Sequence, residues 1–167
     1  TFNRDLFLKP SEFVKYLHDR GVRLGLCLDP SEGIHPHEPR FEEISKAIGA
    51  SDKQILPFNV FDKELLNAYF KYLIEPLYDV GVDFFWINYR NVKDSLTNDV
   101  LNYYHINYFK KLNNVRPLIL SRVSKMAPHK YPVHYSGETV VSWNTLKVLP
   151  FFNSTSSNLG LSWWSHD

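Results

Sequence analysis

The chain has 167 residues, 19 Lys and Arg against 18 Asp and Glu, and a formal charge of +1, with 44% apolar and 16% aromatic residues. Enough apolar side chain is present to fill the core of one ordinary domain, which excludes a disordered chain, and so even a charge balance excludes the basic face that nucleic acid requires. No apolar run reaches the roughly 18 residues of a membrane span, residues 1–5 lack a secretion-signal layout, and the single Cys27 leaves no internal disulfide and no cysteine-rich metal site, which favours a reducing, cytoplasmic compartment.

Ser11 followed by Glu12–His18 reads as an N-cap and an amphipathic helix stopped at Gly21. Val22–Leu28 is a short apolar run before Asp29-Pro30 and suits a buried strand. Ser31–Arg40 is a loop holding Pro36 and Pro39, and Phe41–Ile48 is a short helix closed by Gly49. Asp62 caps a longer helix with Leu65, Leu66, Tyr69, Phe70 and Leu73 on one face, and Pro76 is expected to kink or end its last turn. Val82–Ile87 is a second buried strand with Asn88-Tyr89-Arg90-Asn91 as its polar exit. The periodicity predicts a helix over Asn98–Leu112, its apolar face including Leu101, Tyr104, His105 and Tyr108. Arg116-Pro117 introduces a third strand, Leu118–Leu120, exiting at Ser121-Arg122. Tyr131–Trp143 reads as a fourth strand and its loop, Leu146–Asn158 as a helix interrupted at Pro150, and Leu159–Trp164 as a fifth strand.

Strands alternating with helices predict parallel βα units. Five units in 167 residues take about 33 residues each, so the expected fold is an incomplete (β/α)8 barrel, since eight units need about 250 residues. An open doubly wound sheet is the alternative. The chain lacks an initiator Met and closes on Trp163-Trp164-Ser165-His166-Asp167, which reads as a single segment, residues 1–167, of a longer polypeptide.

Asn88, Arg122 and Asp167 stand at strand exits, and Glu138 in a Gly-containing turn. A barrel would converge them at one mouth. Retaining sugar cleavage needs two carboxyls about 5–5.5 Å apart. Arg122 could brace a carboxylate with its planar fork, while Trp86, Tyr89, Tyr135, Trp143, Trp163 and Trp164 could stack on sugar faces. Taken singly, each has an ordinary structural reading: turn chemistry for the Asn, a solvated loop for the Glu, an ion pair for the Arg and core for the aromatics.

Taken in order, several segments resemble glycoside hydrolase family 31, the family of α-glucosidases and α-xylosidases. They are Thr1-Phe2-Asn3-Arg4-Asp5-Leu6-Phe7, Trp86-Ile87-Asn88-Tyr89, Arg122, the stretch His129-Lys130-Tyr131-Pro132-Val133-His134-Tyr135-Ser136-Gly137-Glu138-Thr139-Val140-Val141-Ser142-Trp143, and Leu159–Asp167. The resemblance implies a TIM barrel running from just after its second strand to the end of its seventh. It further implies hydrolysis of α-linked glucosides or oligosaccharides by double displacement without metal or cofactor, with the remainder of the parent polypeptide as partner.

Two positions depart from the family pattern. Where the resemblance implies an Asp nucleophile the chain has Asn88, and where it implies an Asp acid/base it has Glu138. An amide has the shape of the carboxylate without its charge, so it does not attack an anomeric carbon or stabilise an oxocarbenium ion. The longer Glu138 shifts its carboxyl by about a bond length, and misplacement of ~1 Å can cost around a hundredfold. The resemblance assigns Arg122, Tyr135 and Asp167 to substrate binding, Trp86 joins them as a candidate stacking ring, and a chain with Asn88 is expected to be inactive. The alternative is a non-catalytic carbohydrate-binding relative. His35-Pro36-His37 reads as loop histidines, Cys27 as a core thiol, and Asp29–Gly33 as a loop that could approach the sugar.

Overall fold

A computed structural model of the chain describes residues 2–50, 54–89, 96–113, 117–122, 126, 128–131 and 133–167. Thr1, Arg90, Asn91, Arg116 and Pro132, which figure in the sequence reading, lie outside the described residues. Five short strands make one sheet in the order β1 (Gly25–Leu28), β2 (Phe84–Ile87), β3 (Ile119–Arg122), β4 (Val133–Tyr135) and β5 (Trp164–Ser165). β3 and β4 are parallel with Arg122 opposite Tyr135, and β4 and β5 are parallel with His134 opposite Trp164. Sheet order follows chain order throughout. A doubly wound sheet must reverse its order at a switch point, so this strand order is that of an incomplete barrel and not of that alternative. No helix among the described residues is long and apolar enough to cross a membrane. The chain clusters into two units, Thr1–Phe85 and Trp86–Asp167, with the boundary inside β2.

The first unit opens with α1 (Pro10–His18), which begins one residue before the expected Ser11 cap. Pro10 takes the first helical position, where a missing N–H costs nothing, and the cap residue is Lys9, whose side chain has no acceptor, so no side-chain cap is formed. α2 (Phe41–Ala47) matches the expected helix. Asp62 caps α3 (Lys63–Tyr69) by accepting from the Glu64 and Leu65 amides, both at 3.0 Å. A single π turn, Phe70–Ile74, then joins α3 to α4 (Glu75–Val80). There the Glu75 amide donates to the Phe70 carbonyl, five residues back. Pro76 neither ends the helix nor breaks it: the extra residue is absorbed just before the ring that would otherwise clash one turn back. Ile34, Phe41, Ile44, Leu56, Leu65 and Ala68 form the core of this unit.

Asp83 ties three segments together. Its carboxylate accepts from the Leu24 amide (2.8 Å) and from Arg23 (2.9 Å), and pairs with the His18 ring (2.8 Å). Burial pulls this carboxyl upward, but the bonds from Leu24, His18 and Arg23 outweigh it and hold the acid below its ordinary value. Gly25 is required by packing, since a Cβ there would lie 2.4 Å from the Phe84 ring. β1 departs from the expected buried strand: Gly25 and Cys27 are exposed and only Leu26 and Leu28 half-buried, because β1 is an edge strand with one face uncovered. Cys27 is therefore not a core thiol.

In the second unit α5 (Thr97–Asn113) packs on β3. Its inward face is Leu101, Asn102, His105 and Ile106, whereas Tyr104, expected inside, is exposed. Ile106, Ile119 and Tyr131 form a small apolar cluster there. Burial pushes the His105 imidazole down to about 3. α6 (Trp143–Asn158) starts three residues earlier than expected because the Ser142 hydroxyl accepts from the Thr145 amide at 3.1 Å. It also runs through Pro150 instead of being interrupted, with Ser154 Oγ donating to the Pro150 carbonyl at 2.8 Å. The fifth strand is confined to two residues, since Leu159 still belongs to the cap of α6.

Candidate functional site

β2, β3, β4 and β5 each deliver polar residues at their C-terminal ends, as parallel strands of a barrel do. Asn88 follows β2 directly and is almost completely buried, at 3% exposure. Arg122 ends β3, and its Nε donates to Asn88 Oδ1 at 3.3 Å. The same guanidinium lies 3.5 Å from Glu138 Oε1, in the loop after β4. Arg122 thus touches both Asn88 and Glu138.

Tyr135 closes the other side. Its ring sits 5.8 Å beneath the Arg122 guanidinium and meets Trp86 edge-on at 5.3 Å. Its hydroxyl donates to the Asp167 carboxylate, 2.9 Å from Oδ1 and 3.0 Å from Oδ2, and the Thr139 amide donates to Oδ2 at 3.2 Å. Burial and the neighbouring Asp167 carboxylate push the Tyr135 phenol above its ordinary value, so it stays a donor at neutral pH. All six residues singled out in the sequence, Asn88, Glu138, Arg122, Tyr135, Trp86 and Asp167, belong to one contact network.

Trp163 and Trp164 have other surroundings, and Trp143 lines a groove that reaches Asp167. Tyr89 is buried, and Trp164 packs against Phe152, His134 and His166. Trp163 is exposed and lines a separate hollow with His129, Tyr131 and His134. Trp163 lies just before β5 and Trp164 is its first residue, and the two meet different neighbours.

Sequence reasoning missed the support beneath Glu138. Ser136 donates its amide to the Ser165 carbonyl at 3.1 Å and bonds His166 Nδ1 through its hydroxyl at 2.9 Å, while His166 Nε2 meets Asn153 Oδ1 at 2.9 Å. That lattice fixes the turn through Gly137, whose φ of 102° suits glycine alone. The only signal was that Ser136 and His166 fall inside the two longest motif segments. The Asp29–Gly33 loop belongs to the first unit, where Asp29 Oδ1 accepts from the Ser31 amide at 3.1 Å. The His35 and His37 rings lie 5.2 Å apart, and no group of three or more potential metal ligands occurs among the described residues.

The sequence profile of the glycosyl hydrolases family 31 TIM-barrel domain matches residues 1–167. The chain belongs to glycoside hydrolase family 31. No curated protein matches it. Among solved structures it is similar to the cycloalternan-degrading enzyme from Trueperella pyogenes (TM-score 0.74, 12% identity), covering 95% of this chain and 28% of that one. It is also similar to the uncharacterized protein lmo2446 from Listeria monocytogenes (TM-score 0.68, 17% identity, 95% and 18% covered). A mutant of Kfla1895 in complex with isomaltose gives a TM-score of 0.67 at 13% identity, with 95% and 27% covered. At these identities the likeness is one of fold, and the family 31 segment spans 18 to 28% of the length of those chains.

Proposed function

We propose that this segment supplies the strand-exit half of an α-glucoside site in a longer family 31 polypeptide. Asn88 stands at the nucleophile position and Glu138 at the acid/base position. The observation that carries the reading is the single guanidinium of Arg122 between Asn88 and Glu138. Two solved relatives support the substrate class: one is a cycloalternan-degrading enzyme and another was solved with isomaltose. Arg122, Tyr135, Trp86 and Asp167 then bind the sugar, its hydroxyls meeting the guanidinium and carboxylate and its apolar face the rings.

With Asn88 in place the site holds a glycoside without cleaving it by double displacement. A glycosyl-enzyme intermediate needs an attacking carboxylate, and the developing oxocarbenium charge needs an anion beneath it. Here Asn88, Glu138 and Arg122 together sum to zero charge, which suits a neutral ground-state sugar. The chain as given is thus a carbohydrate-binding relative of an α-glucosidase barrel.

Calorimetry on the full-length parent with maltose and isomaltose tests the site, with dissociation constants between micromolar and millimolar expected. Nitrophenol release from a nitrophenyl α-glucoside tests the chemistry: none is expected from the parent, and at least a tenfold rise above background from Asn88→Asp. Binding with no gain from Asn88→Asp, nor from Asn88→Asp combined with Glu138→Asp, identifies a parent specialised for binding alone. Hydrolysis by the unaltered parent would overturn the inactive reading, and absence of any sugar binding would overturn the site.

A further inference from the structure

The hollow that Trp163 lines, about 430 Å³ in volume, lies away from the network described above. Leu118 stands just before β3, Tyr131 shortly before β4, and Ser162 and Trp163 just before β5. Arg122, Tyr135 and Asp167 stand at or beyond the ends of the same strands. These strands are parallel, so the hollow sits at the opposite edge of the sheet from the network. A parallel crossover usually carries a helix. The described part of the β3–β4 connection carries only a 3₁₀ turn, Pro128–Lys130, and the hollow opens beside it. The loop after α6 forms the other lip, where a Cβ on Gly160 would lie 3.8 Å from the His129 Cβ.

The polar wall is in place before any ligand arrives. His134 is 3% exposed, its ring meets Trp164 at 5.2 Å, and its side chain makes no hydrogen bond among the described residues. Burial holds the imidazole below its ordinary value, so at neutral pH the ring is uncharged, with one donor and one acceptor. A buried polar side chain without a partner is a cost that a bound hydroxyl removes. The Tyr131 hydroxyl is anchored on the Asp99 carbonyl at 3.4 Å, and the Trp163 indole is 63% exposed. No Asp, Glu, Lys or Arg is among the described residues of the lining, so an ion would be desolvated there without a counter-charge. The matching ligand is neutral, with an apolar face for the indole and hydroxyls for the imidazole. A hydroxyl both donates and accepts, so it pairs with either tautomer of His134. The volume falls within the roughly 300–1,000 Å³ of small-molecule sites.

We propose that this hollow is a second, non-catalytic site for a neutral pyranose, with Trp163 as the stacking face and His134 and Ser162 as the hydrogen-bonding wall. The choice of an α-glucoside as its probe rests on the reading above, whereas the site itself stands on its own residues.

The test is calorimetry of maltose on the full-length parent and its variants. Two classes of binding are expected in the parent. Trp163→Ala should weaken one of them at least about tenfold, the scale of a stacked ring, and Trp163→Phe should keep most of it. Ser162→Trp, at an exposed position, fills the hollow and should abolish the same class while leaving the other intact. Arg122→Lys should weaken only the other class. A single class that responds to Arg122→Lys and not to Trp163→Ala or Ser162→Trp overturns the second site and leaves the first standing. So do two classes that both survive Trp163→Ala and Ser162→Trp. A single class lost in Trp163→Ala and Ser162→Trp but untouched by Arg122→Lys overturns the first site and leaves the second. No binding of any class removes both. Ser162→Cys supplies a further check, since the parent carrying it should take up a maleimide beyond the level of the unaltered parent. Protection of that thiol would mean that the parent's own chain fills the hollow, and would overturn the proposal.

Discussion

Arg122 shows how much one side chain can organise. Its fork reaches an amide oxygen and a carboxylate while its plane lies over Tyr135. Lysine keeps the charge but not the planar geometry, so Arg122→Lys should disconnect Asn88 from Glu138. Glu138 is largely exposed, so the ion pair adds little to stability. The expected outcome is a roughly tenfold weaker affinity for isomaltose in the parent, the scale of one charge-assisted hydrogen bond, with a nearly unchanged melting temperature. Calorimetry and a thermal melt on the same sample check both halves. Tyr135→Phe deletes the hydroxyl that orients Asp167. It should weaken binding of the same sugar without altering the fold, as the circular dichroism spectrum would show.

At the scale of elements, α5 carries a titration. Burial alone pushes His105 down to about 3, against an unfolded value near 6.5. A base depressed in the folded state is neutral there, so its contribution is complete above pH 6.5 and is lost as pH falls from there towards 3. His134 is shifted the same way by burial. Asp83 is depressed as an acid, and its contribution is lost only once pH drops below about 4. The urea midpoint of the domain should therefore already be lower at pH 5 than at pH 7.5, before the Asp83 clamp begins to open. His105→Phe should flatten that difference. The cap at Asp62 is a separate and local matter: Asp62→Ala should cost about 1 kcal/mol by urea denaturation at neutral pH.

For the molecule as a whole, five strands paired in chain order leave β1 and β5 as edges. Edge strands present unpaired backbone groups that recruit other chains. Light scattering on the isolated chain is expected to show association at tens of micromolar, and a clean monomer with cooperative unfolding would contradict this. Much of the architecture was legible because parallel βα units write themselves locally: an apolar run, a polar exit, a capped helix. Asp62, Gly49 and the β2 run gave signals decided within a few residues. The six residues of the contact network were all singled out through motif segments. What those segments could not show was that Arg122 and Asn88, 34 positions apart, share a hydrogen bond, or that Tyr135 reaches Asp167 across 32.

The errors have one physical origin. Composition and spacing say that Trp163 and Trp164, or Leu26 and Cys27, are apolar and adjacent. They do not say which member of each pair meets a neighbour, because that depends on the phase of the strand and on what covers each face. Likewise Pro76 and Pro150 are helix breakers in isolation, and only the packed helix shows a π turn absorbing one and continuous α structure through the other. The order of the elements, the Asp62 cap and the family were fixed by the chain's own local chemistry. Which side chains share a surface was decided by tertiary structure, since side-chain direction is set by partners distant in sequence.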